Sequence, residues 1–391
     1  MAVLVVLAGL YVLLQSPSAA GGVSLGQAES ATAAWHAPDR GDSDDSHDRD
    51  DDDRRATSAI ARATARAGQI ASSAQAAQAA QAAAAAAGSG QSGTAASAAV
   101  PAPPVAAGHG AGGALSWAPP AGYTGYPVKQ VSAAGALNTV NAGGGDVHIQ
   151  LSPAHPVGPV VITNCRNAVL IGGQIDVLPS SQVGGKDQRG IYVSDCTGTV
   201  HIEGVLINGA VAGSEADGIA VNAPKALIQI QNVRVEGMRG GKSTNHADVF
   251  QPWGGVREFR IDRLSGSTNY QGLHIGVDLG PIGRGTILNT DIASSEVTQT
   301  DKGGHFLWMD CNAYPLALDN VFVAGRSGRS FGASIWPTPN DGGCPSVIAA
   351  GVASWPTYTS LTGGVHDGRP SSGDFVPAGS VGLGYSSPGY R

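Results

Sequence analysis

The sequence predicts an all-β fold, a solenoid of parallel strands, from three observations. Glycine accounts for 57 of the 391 residues, whereas only 14% are charged and 5% are aromatic, a composition that suits stacked strands and turns better than amphipathic helices. From Asp146 onward, short runs rich in Val, Ile and Leu are separated by glycine or asparagine at nearly every turn. These runs also recur along the chain at similar intervals, as the strands of stacked coils would.

Each repeat has two recognisable halves. In the first half, Val161–Cys165 matches Tyr192–Cys196 at an offset of 31 residues, and Ala216–Asp217 matches Ala247–Asp248 at the same offset. Alternation within each strand sends Ile and Val inward, while Gly and Asn take the corner conformations that β-branched residues avoid. The second halves are spaced by 28, 31, 26 and 31 residues, about one coil of a solenoid, and they begin at Ile202, Ile230, Ile261, Ile287 and Leu318.

These asparagine- and glycine-punctuated coils, from about residue 146 to 351, resemble the pectin-lyase-like superfamily. The resemblance covers about half of the chain and implies a single-stranded right-handed parallel β-helix. That superfamily includes pectate and alginate lyases, polygalacturonase-like hydrolases, epimerases, and non-catalytic adhesins and tailspikes. The resemblance therefore implies a polysaccharide ligand and leaves the reaction open.

The chain before the coils is predicted to lack a hydrophobic core. Residues 1–20 match a signal peptide, an apolar run followed by small residues up to Ala20; the alternative is an uncleaved apolar segment at a membrane interface. Residues 21–113 contain nine Asp between Asp39 and Asp53, then Ala-rich and Gly- and Pro-rich stretches, and are predicted to be a disordered linker. Residues 114–391 would form the β-helix domain, with an irregular tail over the last coil. Export to the periplasm, the cell surface or the medium is expected.

The charge balance argues against a nucleic-acid surface. Residues 1–113 hold 6 of the 23 basic and 10 of the 30 acidic side chains, which leaves 17 basic and 20 acidic ones for the remainder. A slightly acidic domain without a basic stripe is not expected to bind phosphate backbones.

The four cysteines form two candidate pairs. Cys165 and Cys196 occupy equivalent positions of adjacent coils, where a disulfide and a stack of two free thiols are equally compatible with the strand spacing. Cys311 and Cys344 lie in loop-like contexts, and in an exported protein we expect a disulfide between them. No cysteine or histidine spacing suggests zinc.

Two carboxylates are predicted to become neighbours. Stacking would place Asp217 and Asp248 about one strand spacing apart, so they would share a proton or hold a cation such as Ca²⁺. About 5 Å would also suit the carboxylate pair of a retaining glycosidase. The structural alternative is that each Asp only forms the turn before its strand.

A polar patch is predicted beside these carboxylates. If Phe250 and Leu273 point inward, Gln251 and His274 point outward in register, and His305 extends the row by one coil. Any one of these histidines could be a hydrogen-bonded surface group, but histidines on successive coils also fit a functional groove. The same groove would receive His246 and the flanking cations Arg239, Lys242 and Arg257.

The run from His246 to Gln251 resembles, at Asp248, the Asn-Thr-Asp-Gly motif of polygalacturonase-like hydrolases, which implies a catalytic carboxylate there. The chain departs from that pattern because the Asp pair expected one coil later is replaced by Tyr270–Ile275, and no Arg-Ile-Lys follows. A standard hydrolase of that type is therefore not the leading expectation.

The favoured reaction is β-elimination on a uronate-containing polysaccharide. This reaction needs a cation or Arg to neutralise the uronate carboxylate and a base to remove the C5 proton. His274, Lys242 or Arg239 would be the base, with Asp217 and Asp248 as Ca²⁺ ligands. Trp253 and Trp336 would stack on sugar rings, unless they only fill corners of the solenoid. The rival class is a non-catalytic surface or adhesion module, which the long acidic and Ala-rich N-terminal spacer favours.

Overall fold

The computed structural model describes residues 113–183, 188–295 and 304–391. The predicted signal peptide, and the linker up to residue 112, lie outside the described residues. Within them the fold is all-β, as predicted: twenty strands join one sheet in which most pairings are parallel. Among these residues, helical structure is limited to short 3₁₀ turns at Tyr123–Gly125 and Phe331–Ala333.

The strands are numbered in chain order. The N-terminal ones are β1 Val128–Val131, β2 Asn138–Asn141, β3 Val147–Leu151, β4 Val160–Thr163, β5 Ala168–Ile171, β6 Gln174–Asp176, β7 Arg189–Ser194, β8 Thr199–Glu203 and β9 Leu206–Asn208. The long central ones are β10 Asp217–Met238 and β11 Phe250–Thr268. The others are β12 Leu273–His274, β13 Gly285–Ser294, β14 Leu307–Trp308, β15 Leu316–Ala324, β16 Ile335–Trp336, β17 Val347–Ala349, β18 Val352–Ser354, β19 Leu361–Thr362 and β20 Val365–Asp367.

Three ladders of parallel strands run through the domain. The first joins β2, β4, β7, the starts of β10 and β11, and then β12, β14 and β16. The second joins β1, β3, β5, β8, the middle parts of β10 and β11, and then β13, β15 and β19. The third joins β6, β9, the ends of β10, β11, β13 and β15, and β20. Each repeat thus contributes to three sheet faces, a solenoid-like arrangement.

The interior of the first ladder is a column of large apolar side chains. Ile191 pairs with Ile219, Ile219 with Phe250, and the column continues through three further repeats, with all members fully buried. Full burial of each such side chain contributes ~1.5–3 kcal/mol. The later members are Leu273, Leu307 and Ile335.

Asparagine and glycine form one corner of the solenoid, as the sequence predicted. Between the second and third ladders, six equivalent positions have φ values from 44 to 72°, in the left-handed region that glycine and asparagine tolerate best. Asn289 bonds both neighbours, donating to Asp262 Oδ1 at 2.7 Å and accepting from Asn320 at 2.7 Å. The six positions are Gly172, Gly204, Asn232, Arg263, Asn289 and Asn320.

Both cysteine pairs are disulfides. Cys165 is bonded to Cys196 across adjacent repeats with a Cα separation of 4.4 Å, and Cys311 is bonded to Cys344 between loops. The second bond was expected, and the first decides between the two alternatives that the sequence left open. Disulfides are compatible with an extracellular protein.

The C-terminal tail contacts both late and early repeats. Leu361–Asp367 forms two ladder strands, and Phe375, after them, lies 6.0 Å from Phe322 of β15 between ring centroids. The later tail residues run back along the side of the solenoid, where Tyr385 lies against Gly204 and Tyr390 pairs with Leu115. Side-chain acceptors on earlier repeats supply the reason, because Ser265 and Asp291 accept tail N–H groups at 2.9 Å.

Candidate functional site

The outer face of the first ladder carries two columns of polar and aromatic side chains. Each repeat contributes two residues to these columns. The residue one after the inward apolar side chain faces away from the core because strand side chains alternate, and the residue two before it lies at the entry to the strand. The first column is Arg189, Asp217, Asp248, Gln271 and His305. The second column is Tyr192, Ala220, Gln251, His274, Trp308 and Trp336.

The register predicted for this face is present. Phe250 pairs with Leu273, and both side chains are fully buried. Gln251 and His274 therefore lie side by side, with 3.3 Å between Gln251 Nε2 and His274 Nδ1. Most of the column side chains are shielded from solvent: Asp248 is 0% exposed, His274 4% and Gln251 6%. The predicted cluster is thus a buried polar layer and not an open groove, with partly exposed residues at its ends.

Asp217 ties two repeats together. Its Oδ1 accepts hydrogen bonds from the Asn245 side chain and from the backbone N–H of Asp248, both at 3.0 Å. Its Oδ2 lies 3.7 Å from Arg189 Nε. These contacts orient Asp248, and they use Asp217 as a hydrogen-bond acceptor.

One oxygen of the predicted carboxylate pair is already used by hydrogen bonds. Asp217 Oδ1 receives two N–H groups, whereas a cation would need that oxygen's lone pairs. Within residues 113–183, 188–295 and 304–391, no group of three or more His, Cys, Asp or Glu side chains is placed to hold a metal ion. The reaction considered below is therefore not routed through calcium.

His274 is the centre of the layer. Its Nδ1 lies 3.9 Å from Asp248 Oδ1, and its Nε2 lies 3.9 Å from Asp278 Oδ1. Burial lowers the pKa of His274 to about 3, and the nearby His246 and His305 contribute in the same direction. The imidazole is therefore neutral throughout the physiological pH range.

Aromatic rings cover the C-terminal end of the columns. The Trp308 ring lies 5.0 Å from His274 and 6.0 Å from Trp336, measured between ring centroids. His305 contacts both indoles, at 5.3 and 5.6 Å. Trp308 and Trp336 are both partly exposed, so they form an accessible aromatic surface beside the buried histidines.

A second aromatic group lies at the N-terminal end. The Arg189 guanidinium lies 5.4 Å from the Tyr192 ring and 6.0 Å from the Trp253 ring. Trp253 is partly exposed in an irregularity of β11, where three residues oppose one of β10 between the pairs Ala220–Gln251 and Asn222–Gly255. Trp253 is thus carried outward, as a ligand platform would be.

The remaining predicted residues lie around the columns. His246 packs on Tyr270 at 5.4 Å, and Lys242 is exposed in the loop before β11. Arg239 donates to the carbonyl of Val211 at 3.0 Å. Arg257 is not brought to the columns. Its side chain instead donates to the carbonyl of Lys225 at 3.1 Å.

Gln271 Oε1 and His274 Nε2 are buried polar atoms of the layer that have no hydrogen-bond partner among the described residues, in side chains that are 1% and 4% exposed. An unsatisfied buried polar group costs about 1–3 kcal/mol and calls for an explanation such as water or a ligand. Gln271 and His274 belong to the same repeat, one in each column.

Sequence reasoning missed five members of the columns: Arg189, Tyr192, Ala220, Gln271 and Trp308. The spacing within each repeat could have revealed them. The two column residues are three positions apart, and the inward apolar residue lies directly before the second of them. The pattern reads Arg-x-x-Tyr, Asp-x-x-Ala, Asp-x-x-Gln, Gln-x-x-His and His-x-x-Trp in five successive repeats.

Comparison with known proteins adds no family assignment. No helix in the part of the chain that the structure describes is long and apolar enough to cross a membrane. No protein-family model, curated protein or solved structure matches this chain.

Proposed function

We propose that this chain is an exported carbohydrate-active β-helix that binds a uronate-containing polysaccharide on the face formed by the two columns and cleaves it in a lyase-like reaction. The observation that carries the proposal is the pair of unsatisfied buried atoms, Gln271 Oε1 and His274 Nε2, beside the partly exposed indoles of Trp308 and Trp336. An unexplained polar pair next to aromatic platforms is typical of a ligand site.

Carbohydrate suits this combination of groups. A sugar ring presents an apolar face that stacks on indoles, and hydroxyl groups that bond amide, imidazole and carboxylate groups. Partly exposed tryptophans stand at both ends of the columns, Trp253 at one and Trp336 at the other. An extended chain of sugars could contact both, which favours a polymer over a single sugar.

His274 is the base that the geometry favours. In β-elimination, the C5–H bond breaks, the proton passes to His274 Nε2, and the electron pair is held as an enolate of the uronate carboxylate. That pair forms the C4–C5 double bond as the bond from C4 to the glycosidic oxygen breaks. The released oxygen takes a proton from water, and the resulting hydroxide removes the proton from His274. A neutral imidazole has the lone pair that this step needs.

The role of base requires one tautomer of His274. For Nε2 to be the acceptor, Nδ1 carries the proton and faces Asp248 Oδ1 at 3.9 Å. It also requires the Gln251 amide to be turned so that its oxygen, and not Nε2, faces Nδ1, an exchange that the similarity of amide oxygen and nitrogen allows. Asp248 is thus a positioning residue. Lys242 and Arg239, predicted from the sequence, and Arg189 from the first column are the candidates that would neutralise the uronate carboxylate.

Architecture supports the same proposal. Three ladders of parallel strands with asparagine corners fit the right-handed β-helix of the pectin-lyase-like superfamily that the sequence resembles. The two disulfides support a secreted, cell-surface or periplasmic location. A retaining hydrolase built on Asp217 and Asp248 is supported less, because Asp217 is engaged by three neighbours.

A non-catalytic binding module is the second candidate, and the burial of His274 favours it. A side chain that is 4% exposed meets a polymer only at its edge, and a base with a pKa of about 3 accepts protons weakly. The partly exposed tryptophans at the two ends of the columns would still bind sugars in such a module. Binding and cleavage therefore need separate measurements.

The deciding experiment is a screen of the purified chain against pectate, alginate and glycosaminoglycans. Ultraviolet absorbance would detect unsaturated uronate products, and calorimetry would measure binding. We expect product from at least one uronate polymer, and a loss of at least about 100-fold in kcat/KM in His274→Ala, because general-base catalysis contributes about 10²–10⁴-fold.

His155→Ala, at an exposed loop residue, is the matched control and should keep full activity. Thermal melts would show that each variant is folded. Binding without product from any polymer would select the non-catalytic module, and neither binding nor product would overturn the whole proposal.

A further inference from the structure

We propose that an acidic segment of this same chain, Asp42–Asp53, docks on a row of exposed cations at one corner of the solenoid. The row consists of Lys225, Arg257 and Arg284, which we call the basic corner, and it lies between the first and second ladders. The inference goes beyond the proposed function, since it uses no residue of the two columns. It gives a different role to Arg257, which the sequence analysis placed beside the groove.

Successive repeats bring the cations of the basic corner together. Arg257 Nε donates to the carbonyl of Lys225 at 3.1 Å, so these two residues are in contact across adjacent repeats. A Cβ built on Gly283 would collide with the carbonyl oxygen of Arg257, which shows that Gly283 stacks directly on Arg257. Arg284 follows Gly283 in the chain. All three cationic residues are exposed, and their backbones are about one strand spacing apart.

The positive charge of the basic corner is not neutralised within the domain. None of its three members forms an ion pair with a carboxylate of the described residues. Two carboxylates lie near in register: Glu258, which pairs with Arg260 at 2.7 Å, and Asp195, one repeat earlier. Arg166 and Arg369, with side chains 65% and 52% exposed, each pair with an aspartate instead. Neighbouring cations that lack such partners attract a polyanion.

The chain itself supplies a matching polyanion. Eight of the twelve residues in Asp42–Asp53 are Asp and one is Arg, a net charge of −7 with His neutral. This segment lies outside the described residues. Carboxylates accept charge-assisted hydrogen bonds from guanidinium and ammonium groups, and several such pairs acting together bind more firmly than one exposed pair.

The acidic segment is tethered within reach of the basic corner. It is connected to Gly113, whose carbonyl accepts a hydrogen bond from Arg263 at 2.8 Å. Arg263 follows Arg257 by six residues on β11, at most about 20 Å away, because a strand rises about 3.3 Å per residue. The intervening residues 54–112 number 59. Such a length spans ~200 Å when extended and ~90 Å when helical. Tethering makes the docking intramolecular, which raises the effective concentration of the segment.

Carbodiimide crosslinking of the whole chain would detect the contact. The reagent joins a carboxylate directly to a lysine amine that touches it, and residues 1–113 contain no Lys. Lys225 therefore reports docking at the basic corner, while Lys129, which is also exposed, reports random encounters. At low ionic strength we expect the product with Lys225 to exceed that with Lys129 by about tenfold, because docking raises the local concentration of carboxylates. In 1 M salt, where the Debye length is about 3 Å, the two products should become equal.

The double variant Arg257→Gln, Arg284→Gln gives the sharpest comparison, because it removes two charges and keeps the reporter Lys225. We expect its Lys225 product to fall to the level of the Lys129 product. The double variant Arg369→Gln, Arg391→Gln removes two cations of the C-terminal tail, and this charge-matched control should retain the Lys225 product. Thermal melts would show that every variant is folded.

Three outcomes would overturn the inference: equal products with Lys225 and Lys129 in wild-type protein, no product with either, or an unchanged Lys225 product in Arg257→Gln, Arg284→Gln. Weaker pectate binding in that variant, without any product from the acidic segment, would assign the basic corner to an external polyanion and would also refute the docking. Crosslinking needs no substrate, so a failure of the proposed function would leave its result unchanged.

Discussion

At the scale of single residues, the most informative side chain is His274. A histidine is normally protonated by about pH 6, but this one lies in a layer with Asp248, Gln251 and Trp308 that admits almost no water. Desolvation by burial, together with the nearby His246 and His305, lowers the pKa of His274, so the neutral form is favoured. The same residue thus bears on both catalysis and stability.

The lowered pKa of His274 predicts a specific dependence of stability on pH. Because the folded state resists protonation, the unfolded state binds more protons between the ordinary pKa of 6.5 and the folded value of about 3. The free energy of unfolding should therefore be highest above pH 6.5 and fall as the pH falls toward 3. Urea unfolding of wild type and His274→Gln at several pH values would test this.

The difference between the two proteins isolates His274 from other acid-titrating groups. We expect His274→Gln to lose less stability than wild type over that range. Identical pH dependence of the two proteins would show that His274 is protonated with an ordinary pKa. The residues that face His274 and also titrate are Asp248, Asp278, His246 and His305.

At the scale of elements, the corner column limits which sequences can form the solenoid. Six successive repeats turn through the left-handed region at the same position, and asparagine or glycine occupies five of the six. The sixth is Arg263, whose guanidinium donates to the carbonyls of Gly113 and Ala114. The backbone of Arg263 thus adopts a conformation that is rare for arginine, and its side chain makes these two hydrogen bonds.

Substitution at Asn289 would measure the contribution of the corner. Asn289→Ala loses the bonds to Asp262 and Asn320 and keeps a strained φ of 44°. We expect a loss of about 2–5 kcal/mol, from ~1–2 kcal/mol of left-handed strain and about 0.5–1.5 kcal/mol for each of the two hydrogen bonds. Asn289→Gly should remove the strain without restoring the hydrogen bonds. Denaturant unfolding would compare them, with Asn340→Ala in an exposed loop as the control, and equal losses in the Ala and Gly variants would refute the strain argument.

At the scale of the whole molecule, the two ends of the described domain are joined through one buried carboxylate. Glu203 accepts from Tyr385 at 2.9 Å and from Tyr390 at 2.6 Å, and it also contacts His201 at 2.9 Å. Burial raises the pKa of Glu203, but the bonds from His201, Ser387 and Tyr390 outweigh it, so the pKa is lowered overall. Tyr390 in turn pairs with Leu115. The tail therefore fastens both ends of the domain to the early repeats.

Acid should release this tail. Because the folded pKa of Glu203 lies below its ordinary 4.5, its contribution is present above pH 4.5 and is lost as the pH falls through the folded value. Limited proteolysis followed by mass spectrometry should show a protected C-terminus at pH 7 and cleavage after Asp367 at low pH. The double variant Tyr385→Phe, Tyr390→Phe should be cleaved at pH 7, whereas Tyr123→Phe should not. Equal protection in all three proteins would mean that other contacts hold the tail.

Much of the fold could be predicted from the sequence, and less of the site. The repeat, the inward column and the asparagine corners are local patterns that recur at a similar spacing. The columns are harder to see because the repeat length varies: Asp217 and Asp248 are 31 residues apart, whereas Gln251 and His274 are separated by 23. A search at a fixed offset finds Asp217 and Asp248 but misses Gln271 and Trp308.

The sequence by itself determined the strand-rich repeat, the residues of its corners and the neighbouring positions of Cys165 and Cys196, since each depends on residue type and spacing along the chain. Only the tertiary structure decided that the polar cluster is buried, that Arg189 and Trp308 belong to it while Arg257 does not, and that the tail returns to Glu203. The physical reason is that exposure and contact depend on how loops of unequal length close over the strands. That closure is fixed by pairing between distant segments and not by any one segment's composition.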